Sequence, residues 1–341
     1  MKPKTLDWLV CPICKGDLVT EPAAGRDTAI DDGFVRCPTG HVFPIVDGVP
    51  RLLGSGDAAT AEDARSIRES FSREWQHFDY ERDRAWGLPV EQRQQDFLRQ
   101  VDLAPEELEG RLVLDAGCGV GVLSQAISAF GCDVLAADIG RQVADAHAWY
   151  AERGTGRTEY IQADLMQPPF RPGTFDVIFC GGVLHHTPDT RATFEQLLPA
   201  LKPGGTVFVW LYHHHPSRVV NLKLGLRRYI TRLPAPAKHA LVRALLPQAM
   251  LRQEIRARRP GADPADRLSR RERLITMLDS FTPRYRWEHT PEELQGWYRE
   301  HGFVEIQTTE LVEWGFGVVA RRPAEQPAPS DEHAVTAEPA L

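Results

Sequence analysis

No apolar run in this chain of 341 residues reaches the length of a membrane span. The first residues lack the charged-then-apolar pattern of a secretory signal, which makes the cytoplasm the expected location. There the six cysteines are not expected to pair as disulfides. A basic balance is missing too: the formal charge is −7, which argues against wholesale coating of nucleic acid. The last twenty residues, from Arg322, are short of bulky apolar groups and rich in Pro, Ala and Glu, the composition of a disordered tail. Hydrophobic residues at 42% are ordinary for a soluble protein, and the length suits one main domain with additions.

A dinucleotide signature is nearly present and fails at one place. In Leu112-Val113-Leu114-Asp115-Ala116-Gly117-Cys118-Gly119-Val120-Gly121 a buried strand empties into a glycine turn that lets a ligand approach closely. Gly-x-Gly-x-x-Gly would need glycine where Val122 stands, and the third glycine comes one place early. A second apolar strand ends at Asp138, at about the spacing where doubly wound folds meet ribose hydroxyls; a carboxylate accepts from both hydroxyls of a diol. The stretch 160–165, with Asp164, and Phe175-Asp176-Val177-Ile178-Phe179-Cys180-Gly181-Gly182 follow. Leu201-Lys202-Pro203-Gly204-Gly205 then reads as a helix stop and tight turn before a strand over 206–211. Strands separated by helix-length stretches describe a parallel α/β sheet.

Asp-x-Gly-x-Gly-x-Gly, followed by these segments in order, resembles class I S-adenosylmethionine-dependent methyltransferases. The resemblance implies a seven-stranded Rossmann-like sheet with an antiparallel final hairpin. It assigns cofactor contacts to Asp115, Gly117, Cys118, Gly119, Gly121, Asp138, Ile139, Asp164, Leu165 and Gly181, with Asp164 receiving the adenine amino group. Near the end, Thr290-Pro291-Glu292-Glu293 is a capping box with proline at the first helical position. A helix to about Gly302 and strands from Phe303 and over 315–320 complete the resemblance.

Cys11-Pro12-Ile13-Cys14 and Cys37-Pro38-Thr39-Gly40-His41 are separated by twenty-two residues. Two such pairs enclose a tetrahedral zinc ion, structural because no position is left open. Their surroundings resemble the small zinc-ribbon partner protein of tRNA and rRNA methyltransferases, and the zinc module that opens bacterial large-subunit rRNA guanine methyltransferases. His41 is the least secure ligand. Cys118, Cys132 and Cys180 read as free thiols in or beside core strands.

Residues 60–105 read as helical, with Phe71, Trp75 and Phe78 on one face. Related methyltransferases close a helical cap over the cofactor, which makes Trp75, Tyr80 and Trp86 candidate pocket aromatics besides packing residues. Leu184-His185-His186 follows the fourth strand at the ligand-binding edge and resembles the Leu-His-His stretch of small-molecule and quinone-biosynthesis methyltransferases. His185 and His186 are candidate proton acceptors or packing groups. In Tyr212-His213-His214-His215, neighbouring side chains point to alternate faces, so substrate contact by Tyr212 or His213 is favoured over a second metal.

Residues 218–273 carry fifteen Lys/Arg against four acids. That surplus suits a helical substrate lid or a surface for something anionic, whether RNA, a diphosphate or lipid headgroups. The expected organisation is a ribbon over 1–55, a helical cap over 56–105, the methyltransferase core over 106–216 and 281–321, a basic insertion over 217–280, and a tail over 322–341. The leading function is methyl transfer to a small-molecule or lipid-like acceptor. RNA base methylation is the alternative, weakened by the lack of an Asn-Pro-Pro-Tyr-like tetrapeptide; a non-catalytic scaffold is a distant third. Oligomeric state stays open.

Overall fold

The computed structural model describes residues 1–21, 25, 28–54, 58–83, 88–214, 225, 227, 229–258 and 268–324. Trp86, His215, the expected tail beyond Ala324 and part of the basic insertion lie outside the described residues.

Runs such as Leu112-Val113-Leu114 and Val177-Ile178-Phe179 are apolar at every position because both faces of their strands are covered. Neighbours along each strand point to opposite layers: Val113, Val134 and Val177 pack with Phe97, Val101 and Ile127. Leu114, Leu135 and Ile178 pack on the other face with Phe194, Leu294 and Tyr298. Four parallel strands carry this core: β5 (Leu112–Ala116), β6 (Asp133–Asp138), β7 (Thr158–Ala163) and β8 (Phe175–Gly181). The sheet continues with β9 (Leu201–Tyr212), parallel to β8, and the antiparallel pair β10 (Val304–Val312) and β11 (Gly315–Arg321). Linking helices are α3 (Val122–Ser128), α4 (Gln142–Tyr150), α5 (Thr190–Leu197) and α8 (Pro291–Glu300).

The seven expected strands are there, but the sheet is larger. Ahead of it come β1 (Val19–Glu21), β2 (Gly33–Arg36), β3 (Val42–Val46) and β4 (Val49–Leu52). The β4 strand pairs in parallel with β7, Arg51 opposite Gln162 and Leu52 opposite Ala163. The order is therefore β1-β2-β3-β4-β7-β6-β5-β8-β9-β11-β10, eleven strands with the N-terminal module joined edge to edge. The expected turn at Leu201–Gly205 lies inside β9. Leu201 pairs with Phe175 and Thr206 with Val177, so residues 202–205 loop out as a bulge within one strand.

Two helices lie outside this scaffold over the carboxyl edge of the sheet: α1 (Ala58–Trp75) and, after α6 (Ala235–Ala257), α7 (Arg270–Phe281). Between core and cap, α2 (Val90–Val101) turns Arg93, Phe97 and Val101 inward at helical spacing. Phe78 falls beyond the end of α1, so the aromatic stripe expected on one helix is a helix face plus a turn. No helix of the described residues is long and apolar enough to cross a membrane.

Candidate active site

Chain order runs from β5 to β6 and β7 on one side, then returns to β8 and β9 on the other. This reversal opens a crevice beyond the carboxyl ends of β5 and β8, where open α/β sheets take ligands. A cavity of about 750 Å3 occupies it.

One end is built from the glycine loop and three strand-end carboxylates. Gly117 has φ +88°, and a Cβ there would collide with Val183; Gly121 has φ +71°, with the Tyr160 ring only 2.8 Å from where a Cβ would stand. Both positions demand glycine for conformation and for space. Gly121 is thus a packing glycine behind the wall, whereas Gly117, Cys118 and Gly119 line the cavity. Asp138 ties the loop in place, accepting from the backbone N–H of Gly119 at 3.0 Å and of Gly140 at 2.7 Å. Asp115 accepts from the Ser124 hydroxyl at 2.6 Å, and Asp164 from the Met166 N–H at 2.9 Å. Burial raises all three carboxyls above their ordinary range, Asp115 to about 7. Ile139, Leu165 and Gly181 line the same wall.

The other end holds a buried polar cluster. His186 pairs its Nδ1 with the Tyr285 carbonyl at 2.9 Å, and its Nε2 lies 3.6 Å from Asp279. Tyr212 donates its hydroxyl to Asp279 at 2.8 Å, and Arg286 stacks 4.0 Å over the Tyr212 ring. Burial opposes ionisation of Asp279, but His186, Tyr212 and Arg286 outweigh it and hold the carboxyl below its usual range. His186 and Tyr212 line the cavity; His185 does not. It is fully buried behind them against Trp210 and Tyr212, and burial drives its pKa well down, so the ring is neutral.

Of the cap aromatics, Trp75 lines the cavity, its ring 3.4 Å from where a Gly119 Cβ would stand. Tyr80 instead stacks on Trp149, away from the cavity, and His213 turns outward to the Val312 carbonyl at 2.7 Å. Among the lining residues that the sequence pattern does not point to are Glu74, Arg93 and Asp279. Their signal was a charged residue on an otherwise apolar helix face, as with Glu74 between Phe71 and Trp75.

In the N-terminal module Cys11, Cys14, Cys37 and His41 bring their ligand atoms within 4.8 Å of one another. Cys14 and Cys37 sulfurs are 3.6 Å apart, and the Cys37 sulfur is 3.3 Å from His41 Nδ1. Zinc–sulfur bonds of about 2.3 Å place tetrahedral neighbours about 3.8 Å apart, so the cluster fits a structural zinc ion.

Comparison with known proteins agrees with both halves. Residues 114–209 match the family model "Methyltransferase domain", and residues 2–48 match "Trm112p-like protein". The chain carries a class I methyltransferase domain behind a Trm112p-like zinc-ribbon domain. The methyltransferase domain is similar to the ubiquinone biosynthesis O-methyltransferase of Leptothrix cholodnii, 31% identical over 46% of this chain and 66% of that protein. The counterpart in Aliivibrio fischeri is 39% identical over 30% of this chain and 44% of that one. The chain thus spans less than two thirds of these relatives' length. Among solved structures, magnesium protoporphyrin IX methyltransferase of Synechocystis PCC 6803 with bound S-adenosylhomocysteine is 19% identical with TM-score 0.47, covering 76% of this chain and 100% of that one.

S-adenosylmethionine fits the cavity by the chemistry of its walls. Asp138 suits a ribose diol, and Asp164 keeps an oxygen with no partner among the described residues for an adenine amino group. Arg93 is buried with Nε and Nη2 lacking a partner, and a carboxylate is the group that satisfies such a fork.

Proposed function

We propose that the protein is an S-adenosylmethionine-dependent methyltransferase acting by in-line displacement on a small or lipid-like acceptor. The observation that carries this is one continuous cavity joining the glycine loop, Asp138 and Asp164 to the His186–Asp279–Tyr212 cluster. The cofactor supplies a methyl group already activated on a sulfonium. Asp115, Gly117, Cys118, Gly119, Asp138, Ile139, Asp164, Leu165 and Gly181 hold it, with Gly121 shaping the loop. Tyr212 then flanks the acceptor, with Trp75 packed on the glycine loop.

His186 is the proton acceptor in this reading. A carbonyl can only accept, so Nδ1 carries the hydrogen in the neutral ring and Nε2 keeps its lone pair. That atom lies 3.6 Å from Asp279, which also accepts from the Tyr212 hydroxyl. Orientation can contribute about 7–11 kcal/mol and a general base about 3–5 kcal/mol, so holding the reactants in line matters more. The relatives named as O-methyltransferases support an oxygen acceptor. A recessed site, with Asp279 of α7 buried in its wall, suits a compact acceptor better than a polynucleotide.

The test is transfer of labelled methyl from S-adenosylmethionine into fractionated cell material, with Asp138→Ala as the inactive control. Label in metabolite or lipid pools upholds the reading. Label in RNA that vanishes with added salt replaces it with RNA methylation.

A further inference from the structure

Glu74 is 1% exposed, and neither carboxylate oxygen has a hydrogen-bond partner. A carboxyl buried without a donor is costly, because desolvation is not offset. The residue sits in the last turn of α1 beside Trp75 and forms part of the cavity wall. What fills the cavity is therefore what Glu74 meets.

Its position narrows the choice. Asp138 and Asp279 are both within electrostatic reach of Glu74, and each disfavours charge on it. Asp138 ends β6 at the ribose position, and Asp279 stands in the acceptor cluster. In S-adenosylmethionine the sulfur is bonded to the ribose C5′ and carries the methyl towards the acceptor, so it lies between those two ends. It is a permanent cation in the cofactor and a neutral thioether in the demethylated product, S-adenosylhomocysteine. We propose that Glu74 is the counter-charge of the sulfonium centre, so that α1 closes on the charged cofactor and releases the neutral product. This rests on the methyltransferase reading above. The same helical turn lays Trp75 against the glycine loop, a second contact that favours a cation.

Burial, then Asp279 and Asp138, raise the Glu74 carboxyl well above its ordinary range and favour its protonated form in the free protein. Pairing with a sulfonium sends that proton to solvent; binding the thioether leaves it in place. The other ionisable groups on the surrounding walls are Asp115 and Cys118 at the glycine loop, Asp138 on β6, Asp164 after β7, Arg93 and Asp96 on α2, His186 and Tyr212 at the acceptor end, Arg273 and Asp279 on α7, Arg286 beyond it, and Glu310 on β10. Whatever protons they exchange with either ligand are counted equally in the wild type and in Glu74→Gln, so the difference between the two proteins isolates the share of Glu74.

Calorimetric titration of the full-length protein with each ligand, in buffers of differing ionisation enthalpy, counts the protons released. Between about pH 5.5 and 7 the α-amino groups stay protonated. The cofactor is expected to release close to one proton more than the product, and its relative affinity to rise up to about tenfold per pH unit. Glu74→Gln should erase that difference and weaken cofactor binding about tenfold, as each unit of pKa shift implies. Product binding should persist, which also shows that the variant folds. Equal proton counts in the wild type, or equal weakening of both ligands by Glu74→Gln, overturns the proposal, since the carboxylate then serves a group common to both. Failure of both ligands to bind the wild type would instead sink the methyltransferase reading.

Discussion

Asp115, Asp138, Asp164 and Glu74 line one cavity, and burial is the leading reason each carboxyl is raised. A carboxyl raised in the folded state keeps a proton that the unfolded chain gives up. Stability is then full below the unfolded value near 4 and falls as pH rises towards the folded one. For Asp115 that window runs from about 4 to about 7. The ligand-free protein is expected to melt lower at pH 8 than at pH 5, and Asp115→Asn, which still accepts from Ser124, to flatten the dependence. A melting temperature that climbs across this range contradicts the burial argument. The two histidines separate on the same scale. His186→Ala should lower the methyl-transfer rate by about 10²–10⁴-fold with folding intact. His185→Ala, which opens a void among Trp210, Tyr212 and His186, should cost stability first. Equal rate loss at equal stability in both variants would remove the assignment of Nε2.

The cap is an element held by a few polar ties. Asp63 on α1 accepts from the Tyr285 hydroxyl at 3.0 Å and pairs with Arg284 at 2.7 Å, and Ser72 accepts from the Arg141 N–H at 3.0 Å. Tyr285 in turn fixes His186 through its carbonyl, so one carboxylate connects the cap to the acceptor cluster. Asp63→Ala should cost about 1 kcal/mol, because the Arg284 pair is half exposed. It should also speed amide exchange in α1 before cofactor is added; unchanged exchange would mean the cap is held by packing alone. These ties were not legible in the sequence. The strands of the core were, because continuous apolar runs and glycine turns are local signals. So was the Thr290–Glu293 capping box, observed with both hydrogen bonds made. Asp279 and Arg93 entered the site through the packing of helices distant in sequence, where local pattern shows only a charge on an apolar face. His213 went the other way: its residue type suited a site, but it turns outward at the strand end to the Val312 carbonyl.

For the whole molecule, the zinc-ribbon module is part of the main sheet. Without β4, strand β7 would be an exposed sheet edge. Leu9, Phe43, Ile45 and Leu52 share one apolar cluster with Leu135, Ile161 and Ala163. The backbone of Val10 donates to Pro169 at 2.8 Å, and that of Arg171 to Trp8 at 2.9 Å, pinning the loop that begins at Asp164. The module therefore braces the loop that carries Asp164, a residue of the cavity wall. Structural zinc in finger peptides carries an apparent binding energy of about 10–16 kcal/mol, comparable with the total stability of a domain at about 5–15 kcal/mol. Purified protein is expected to hold about one zinc per chain, as four protein ligands imply. Chelation or Cys37→Ser should lower a single cooperative melting transition of the whole chain and weaken S-adenosylmethionine binding together with it. Two separate transitions, with the methyltransferase transition and cofactor affinity unmoved, would show instead that the β4–β7 pairing transmits nothing and that the ribbon folds as an appendage.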